Sequence, residues 1–184
     1  MKNFDTVLRQ QHAGIQKTLT EVSLKWTKQD IIACALALGE LSFLLAEHHN
    51  AEFSVLFSKI WNSPKLKEGG PFCTYFYNFM LNDRPLARVT RIINQVRSAV
   101  TQVSTIEIPE NLRPVFEQHS MAGIPLEEHL AIRSLVEEMK AIIQNWDEKN
   151  ASWFAMALGE LHDLVQKNIE KEETCLWALV QNIA

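Results

Sequence analysis

The sequence predicts an all-α chain: an antiparallel four-helix bundle built from two related helix pairs, with further helices inserted between the pairs. Apolar residues recur at spacings of three and four over long stretches, the period of a helix packed on one face. Proline and glycine fall almost wholly in 64–71, at Pro85, in 109–125, and at the paired Gly39 and Gly159, so long stretches lack helix breakers. The pentapeptide Ala37-Leu-Gly-Glu-Leu41 returns 120 residues later as Ala157-Leu-Gly-Glu-Leu161. Leu44, His48, Glu52 and Leu56 then meet Leu164, Asn168, Glu172 and Leu176 at the same offset. No run alternates with period two for long enough to make a strand.

Each element has its own signal. Leu8, His12, Ile15, Leu19 and Val22 form the stripe of a first helix. Thr27-Lys-Gln-Asp30 resembles a capping box and opens the second helix, whose stripe is Leu38, Leu41, Leu45, His48, Glu52 and Leu56. Asn62-Ser-Pro64 closes it, because proline cannot continue a helix. Residues 64–71 read as a loop and 72–82 as a short aromatic helix. Asp83 with Pro85 opens a helix to about Val103, and Glu110 to His119 forms another, ended by Ala122-Gly-Ile-Pro125. Leu126, His129, Ile132, Val136 and Met139 stripe the third bundle helix. Asp147-Glu-Lys-Asn150 opens the fourth, striped by Leu158, Leu161, Val165, Asn168, Glu172 and Leu176. The organisation expected is one domain: helix pair 1–62, inserted helices 64–124, helix pair 125–184.

With 184 residues, 47% hydrophobic and 22% charged, the chain can bury a core without disulfide staples. A formal charge of -4 argues against a nucleic-acid partner. Cys34, Cys73 and Cys175 form no CxxC pair and read as free thiols of a reducing cytosol. The opening MKNFDTVLRQQH contains no apolar signal core. Ile31–Ala46 is interrupted by Glu40 and falls short of the roughly 20 residues of a span, so it reads as a buried helix. A cytoplasmic protein without a membrane partner is expected. No Gly-rich phosphate loop precedes a Lys-Ser/Thr pair, and no serine or cysteine has an evident base partner.

The chemistry concentrates at His48-x-x-x-Glu52. Four residues turn a helix by about 400°, so both side chains share one face, one turn apart. That face carries Leu41, Leu45 and Leu56. A histidine and a glutamate in an apolar core cost several kcal/mol, on the order of 2–7, unless satisfied. A bound metal ion would satisfy both, and a buried His–Glu hydrogen bond is the alternative. His12 and His129 lie on the first and third stripes. In an antiparallel hairpin, residues equidistant from the turn share a height. His12 and His48 are equidistant from the Thr27–Asp30 turn, and His129 and Asn168 from the Asp147–Asn150 turn, so the four are expected near one layer. His49, about 100° round the helix from His48, reads as a surface residue, and His162 as solvated. Arg84, Arg88 and Arg91 read as a solvated face. Phe72, Tyr75, Phe76 and Phe79 are expected to pack on the bundle or on a second copy in a homodimer.

On these residues the chain resembles the hemerythrin-like (HHE cation-binding) family, which carries a histidine on the first helix and H-x-x-x-E on the second. A third-helix histidine and a second H-x-x-x-E on the fourth complete its pattern. The matching positions are His12, His48 with Glu52, His129 in Leu126-Glu-Glu-His-Leu-Ala-Ile-Arg133, and Glu172 within Lys171-Glu-Glu173. The resemblance covers about 1–60 and 125–180. It implies a non-haem iron centre of one or two ions, with carboxylates bridging and histidines capping. It also implies binding or sensing of dioxygen, nitric oxide or peroxide, or metal handling. Ferritin-like bundles use Glu-x-x-His, a spacing no histidine here has. Asn168 stands where the family has histidine, so the second ion is expected to bind weakly. His119 is a candidate replacement, and a histidine restored at 168 is expected to raise occupancy. A metal-free bundle serving as a regulatory or interaction module and a di-iron oxidoreductase are the rival readings. No general acid or base is assigned.

Overall fold

A computed structural model describes residues 2–54, 84–96 and 123–177 of the chain. All regular elements among the described residues are helical: α1 (Lys2–Thr27), α2 (Ile31–Glu52), α3 (Pro85–Val96), α4 (Gly123–Gln144) and α5 (Ala151–Lys171). The expected aromatic helix at 72–82, the helix at 110–119, the helix end near Pro64, Cys73 and His119 lie outside the described residues. The chain divides into two compact units, Met1–Glu52 with Ile132–Lys167, and Phe53–Ala131 with Asn168–Ala184. Helices α4 and α5 contribute to both.

In the first unit, α1 and α2 pack against each other as a hairpin. Its turn is closed by Gln29 in the left-handed region (φ 57°) and by Asp30, whose Oδ1 accepts the Ala33 N–H at 3.0 Å. The cap is therefore Asp30. Thr27 belongs to the last turn of α1, where its hydroxyl donates to the Ser23 carbonyl at 2.8 Å. At the other hairpin Asp147 Oδ1 accepts from Lys149 N–H at 2.9 Å, opening a 3-10 turn at Glu148–Asn150 that leads into α5. Trp26, Trp146 and Phe154 stack at this end, with ring centroids 4.6–6.2 Å apart.

Polar seams join the remaining neighbours. Ser42 on α2 donates to Glu137 on α4 at 3.1 Å, and Gln16 on α1 donates to Gln166 on α5 at 3.4 Å. The stripes of the sequence form the core: Leu8, Ile15, Leu19, Val22, Leu38, Leu41, Leu45, Ile132, Val136, Met139, Leu158, Leu161 and Val165 are all buried. Each large aliphatic among them stabilises the fold by about 1.5–3 kcal/mol over leaving it in water. Cys34 is a buried free thiol, and burial, aided by Asp30, pushes its pKa to about 11. By length and composition alone α2 is apolar enough to cross a membrane. Its outer line, Ile32, Leu36 and Phe43, is exposed.

In the second unit, α3 buries Val89, Ile92 and Ile93. Proline opens α3 and sits in the first turn of α4, where a missing N–H costs no helical bond. Helix α4 thus begins at Gly123, two residues before the proline that the sequence places at its boundary. The basic line is not wholly solvated: Arg84 pairs with buried Glu127 at 3.0 Å. Glu127 also accepts the Leu86 N–H at 3.4 Å, which satisfies one of the orphan donors at the start of α3. After Lys171 the last helix widens into a π-helix, Glu172–Leu176, with the Trp177 N–H bonded to the Glu172 carbonyl.

Candidate metal centre

His12 sits on α1 between Leu8 and Ile15, which are both fully buried and fix the direction of its face. Helix α2 presents His48 and Glu52 one turn apart, as the four-residue spacing requires. The imidazoles meet edge to face, with centroids 4.6 Å apart and Nε2 atoms 3.2 Å apart. Glu52 Oε2 lies 3.6 Å from His48 Nε2. None of the three is more than 2% exposed, so bulk solvent does not reach them. Outside this trio, Gln11 Oε1 lies 3.3 Å from His48 Nδ1. With the amide oxygen as acceptor, Nδ1 would carry the proton and Nε2 would keep the lone pair that a metal ligand needs.

The second unit builds a different group. Helix α4 presents Glu128 and His129, α5 presents Asn168 and Lys171, and Glu172 opens the π-turn; all five are buried. His129 Nε2 lies 3.1 Å from Glu172 Oε1. The Lys171 ammonium pairs with Glu128 Oε1, and the Asn168 amide donates to Glu128 Oε2 at 3.3 Å. Burial pushes the Glu128 carboxyl above the usual carboxylate range, against the pull of Lys171 and Asn168.

His12, His48 and Glu52, all in the first unit, are buried and offer ligand atoms close together, so this group could hold a metal ion. Its mixed imidazole and carboxylate donor set suits a divalent transition metal. His129, which the resemblance counts as a ligand, lies in the second unit and bonds to Glu172 there. At both repeat-equivalent glutamates the helix leaves α geometry, at 53–54 after Glu52 and at 172–176 from Glu172. Such π-turns are enriched at functional sites.

Two expectations are corrected. His49 is buried, 6% exposed. It lies eleven residues after Leu38, close to three whole turns, and so continues the Leu38 line into the interior. His162 is half-buried against α1, where it hydrogen-bonds Ser23 at 2.7 Å, and burial lowers its pKa. Sequence reasoning missed Gln11, Glu128 and the burial of Lys171. Residues 125–129 of α4 are buried at every position, so amphipathic periodicity carries no signal there. The chain matches no family model, no characterised protein and no solved structure.

Proposed function

We propose that the chain is a hemerythrin-like four-helix bundle that holds non-haem iron in its interior. Its role would be to bind or sense a small ligand such as dioxygen, nitric oxide or peroxide, or to handle the metal itself. The observation that carries this reading is the convergence of His12, His48 and Glu52 in a dry interior, with Gln11 holding His48 in the ligating tautomer. A protein that needed only to bury a histidine would gain more from an apolar residue, since an imidazole–carboxylate group withdrawn from water is costly. His12, His48 and Glu52 would hold the iron, which would supply the binding chemistry for the small ligand, and the buried leucines of the core would keep bulk solvent out.

The metal-free reading has its own support: the Glu128–Lys171 and His129–Glu172 pairs satisfy one another without an ion. Elemental analysis of protein purified without added metal, then exposed anaerobically to Fe(II), separates the two. The metal reading expects bound iron that raises the thermal midpoint, because an ion that binds only the folded chain stabilises it. No uptake and an unchanged midpoint would favour the interaction module.

A further inference from the structure

The two halves of the repeat can be compared position by position. His12 corresponds to His129, which makes Gln11 the counterpart of Glu128. His48 corresponds to Asn168, and Ala51 to Lys171. The contact pattern follows this correspondence. Gln11 touches His48 in the first half, and Glu128 touches Asn168 in the second. Three residues therefore differ together at matched places: Gln, His and Ala in one half, and Glu, Asn and Lys in the other. In the second half both Glu128 oxygens are taken by protein donors, Lys171 and Asn168. Lys171 is only 3% exposed and places its terminal nitrogen against Glu128 in the interior.

We propose that Lys171 stands in for a second metal ion: its ammonium pairs with buried Glu128 in this half and holds the chain to one bound metal. An ionised carboxylate buried from water is costly unless it is paired. A lysine supplied by the chain provides that pairing permanently, where a metal would do so only when bound. A second divalent ion would have to enter against the ammonium at short range, where like charges repel strongly in a poorly screened interior. It would also find Glu128 already occupied and no imidazole at position 168. The change from histidine to asparagine is thus one part of a three-residue replacement, and Asn168→His alone should not restore a second ion.

The proposal rests on the metal-binding reading above, and one titration tests the two separately. Metal-free full-length protein is titrated anaerobically with Fe(II), and with Co(II) as a spectroscopic probe. Bound metal is counted after gel filtration. Wild type should take one ion per chain with no magnetic coupling. The triple variant Glu128→Gln, Asn168→His, Lys171→Ala copies the first half into the second without leaving an unpaired buried charge, and should take two. The double variant Glu128→Gln, Asn168→His keeps the lysine and should stay at one. Two coupled ions in wild type would overturn the proposal whatever the variants do, and so would a folded triple variant that still takes one. No ion in wild type but one in the triple variant would sink the metal reading of the first half while supporting the blocking role of Lys171. No ion in any protein would overturn both.

Discussion

In the first helix pair, His12, His48 and Glu52 bring two imidazoles and a carboxylate together with an amide from Gln11 behind them. In the second, Glu128 is clasped by Lys171 and Asn168, while His129 leans on Glu172. Both groups are buried, and both must cancel the cost of withdrawing polar atoms from water. The first sets imidazole nitrogens beside a carboxylate, a donor set that could accept a cation. The second carries its cation in the chain. A repeated sequence plan thus leaves open which half could bind an ion, and on the proposal above the side chains flanking the histidines and glutamates decide it.

Substitutions in the two groups should have opposite signatures. The largest effect belongs to Glu52→Ala, which should remove most bound metal because it deletes the carboxylate nearest His48. Metal analysis reads this directly, and near-normal occupancy would place the ion elsewhere. Lys171→Met should instead destabilise the metal-free protein by about 3–5 kcal/mol, the usual cost of orphaning one partner of a buried ion pair. Denaturant unfolding of metal-free protein measures it. A loss below about 1 kcal/mol would mean that Lys171 does not hold its charge against Glu128. Gln11→Leu should leave the fold intact and weaken metal affinity about 10–100-fold, the range for loss of an outer partner of a ligating histidine. Competition against a chelator gives the number, and an unchanged affinity would remove Gln11 from the account.

The smallest effect lies away from both groups. His162 has a folded pKa below its ordinary 6.5 because it is partly buried. The unfolded chain therefore binds the extra proton first. The stability this group contributes is full above about pH 6.5 and is lost as pH falls below that value toward the folded pKa. His162→Gln should flatten the acid side of the thermal-midpoint profile slightly. A steeper acid loss in the variant would reverse the sign assigned to this group.

The helices were legible because each long helix repeats apolar residues at three and four, and because Asp30 and Asp147 lie at the turns. His12, His48 and Glu52 were legible for the same reason: they interrupt apolar stripes with polar groups at helical spacing. Lys171 was not legible, because a lysine beside two glutamates near a helix end reads as surface unless its buried partner is known. Glu128 was hidden in the same way, since the start of α4 is buried all round and has no polar face to contrast with. His49 was misplaced because one turn of α2 is covered over a wider arc than a single stripe predicts. Arg84 looked like one of three solvated cations, and only the structure brings it to Glu127.

The most direct test of the asymmetry is the iron content of the wild-type chain after anaerobic loading with excess Fe(II) and removal of unbound ion. The account predicts one ion per chain, lost in Glu52→Ala and retained in Asn168→His without gaining a second. Two coupled ions in wild type, or no iron at all, would contradict it.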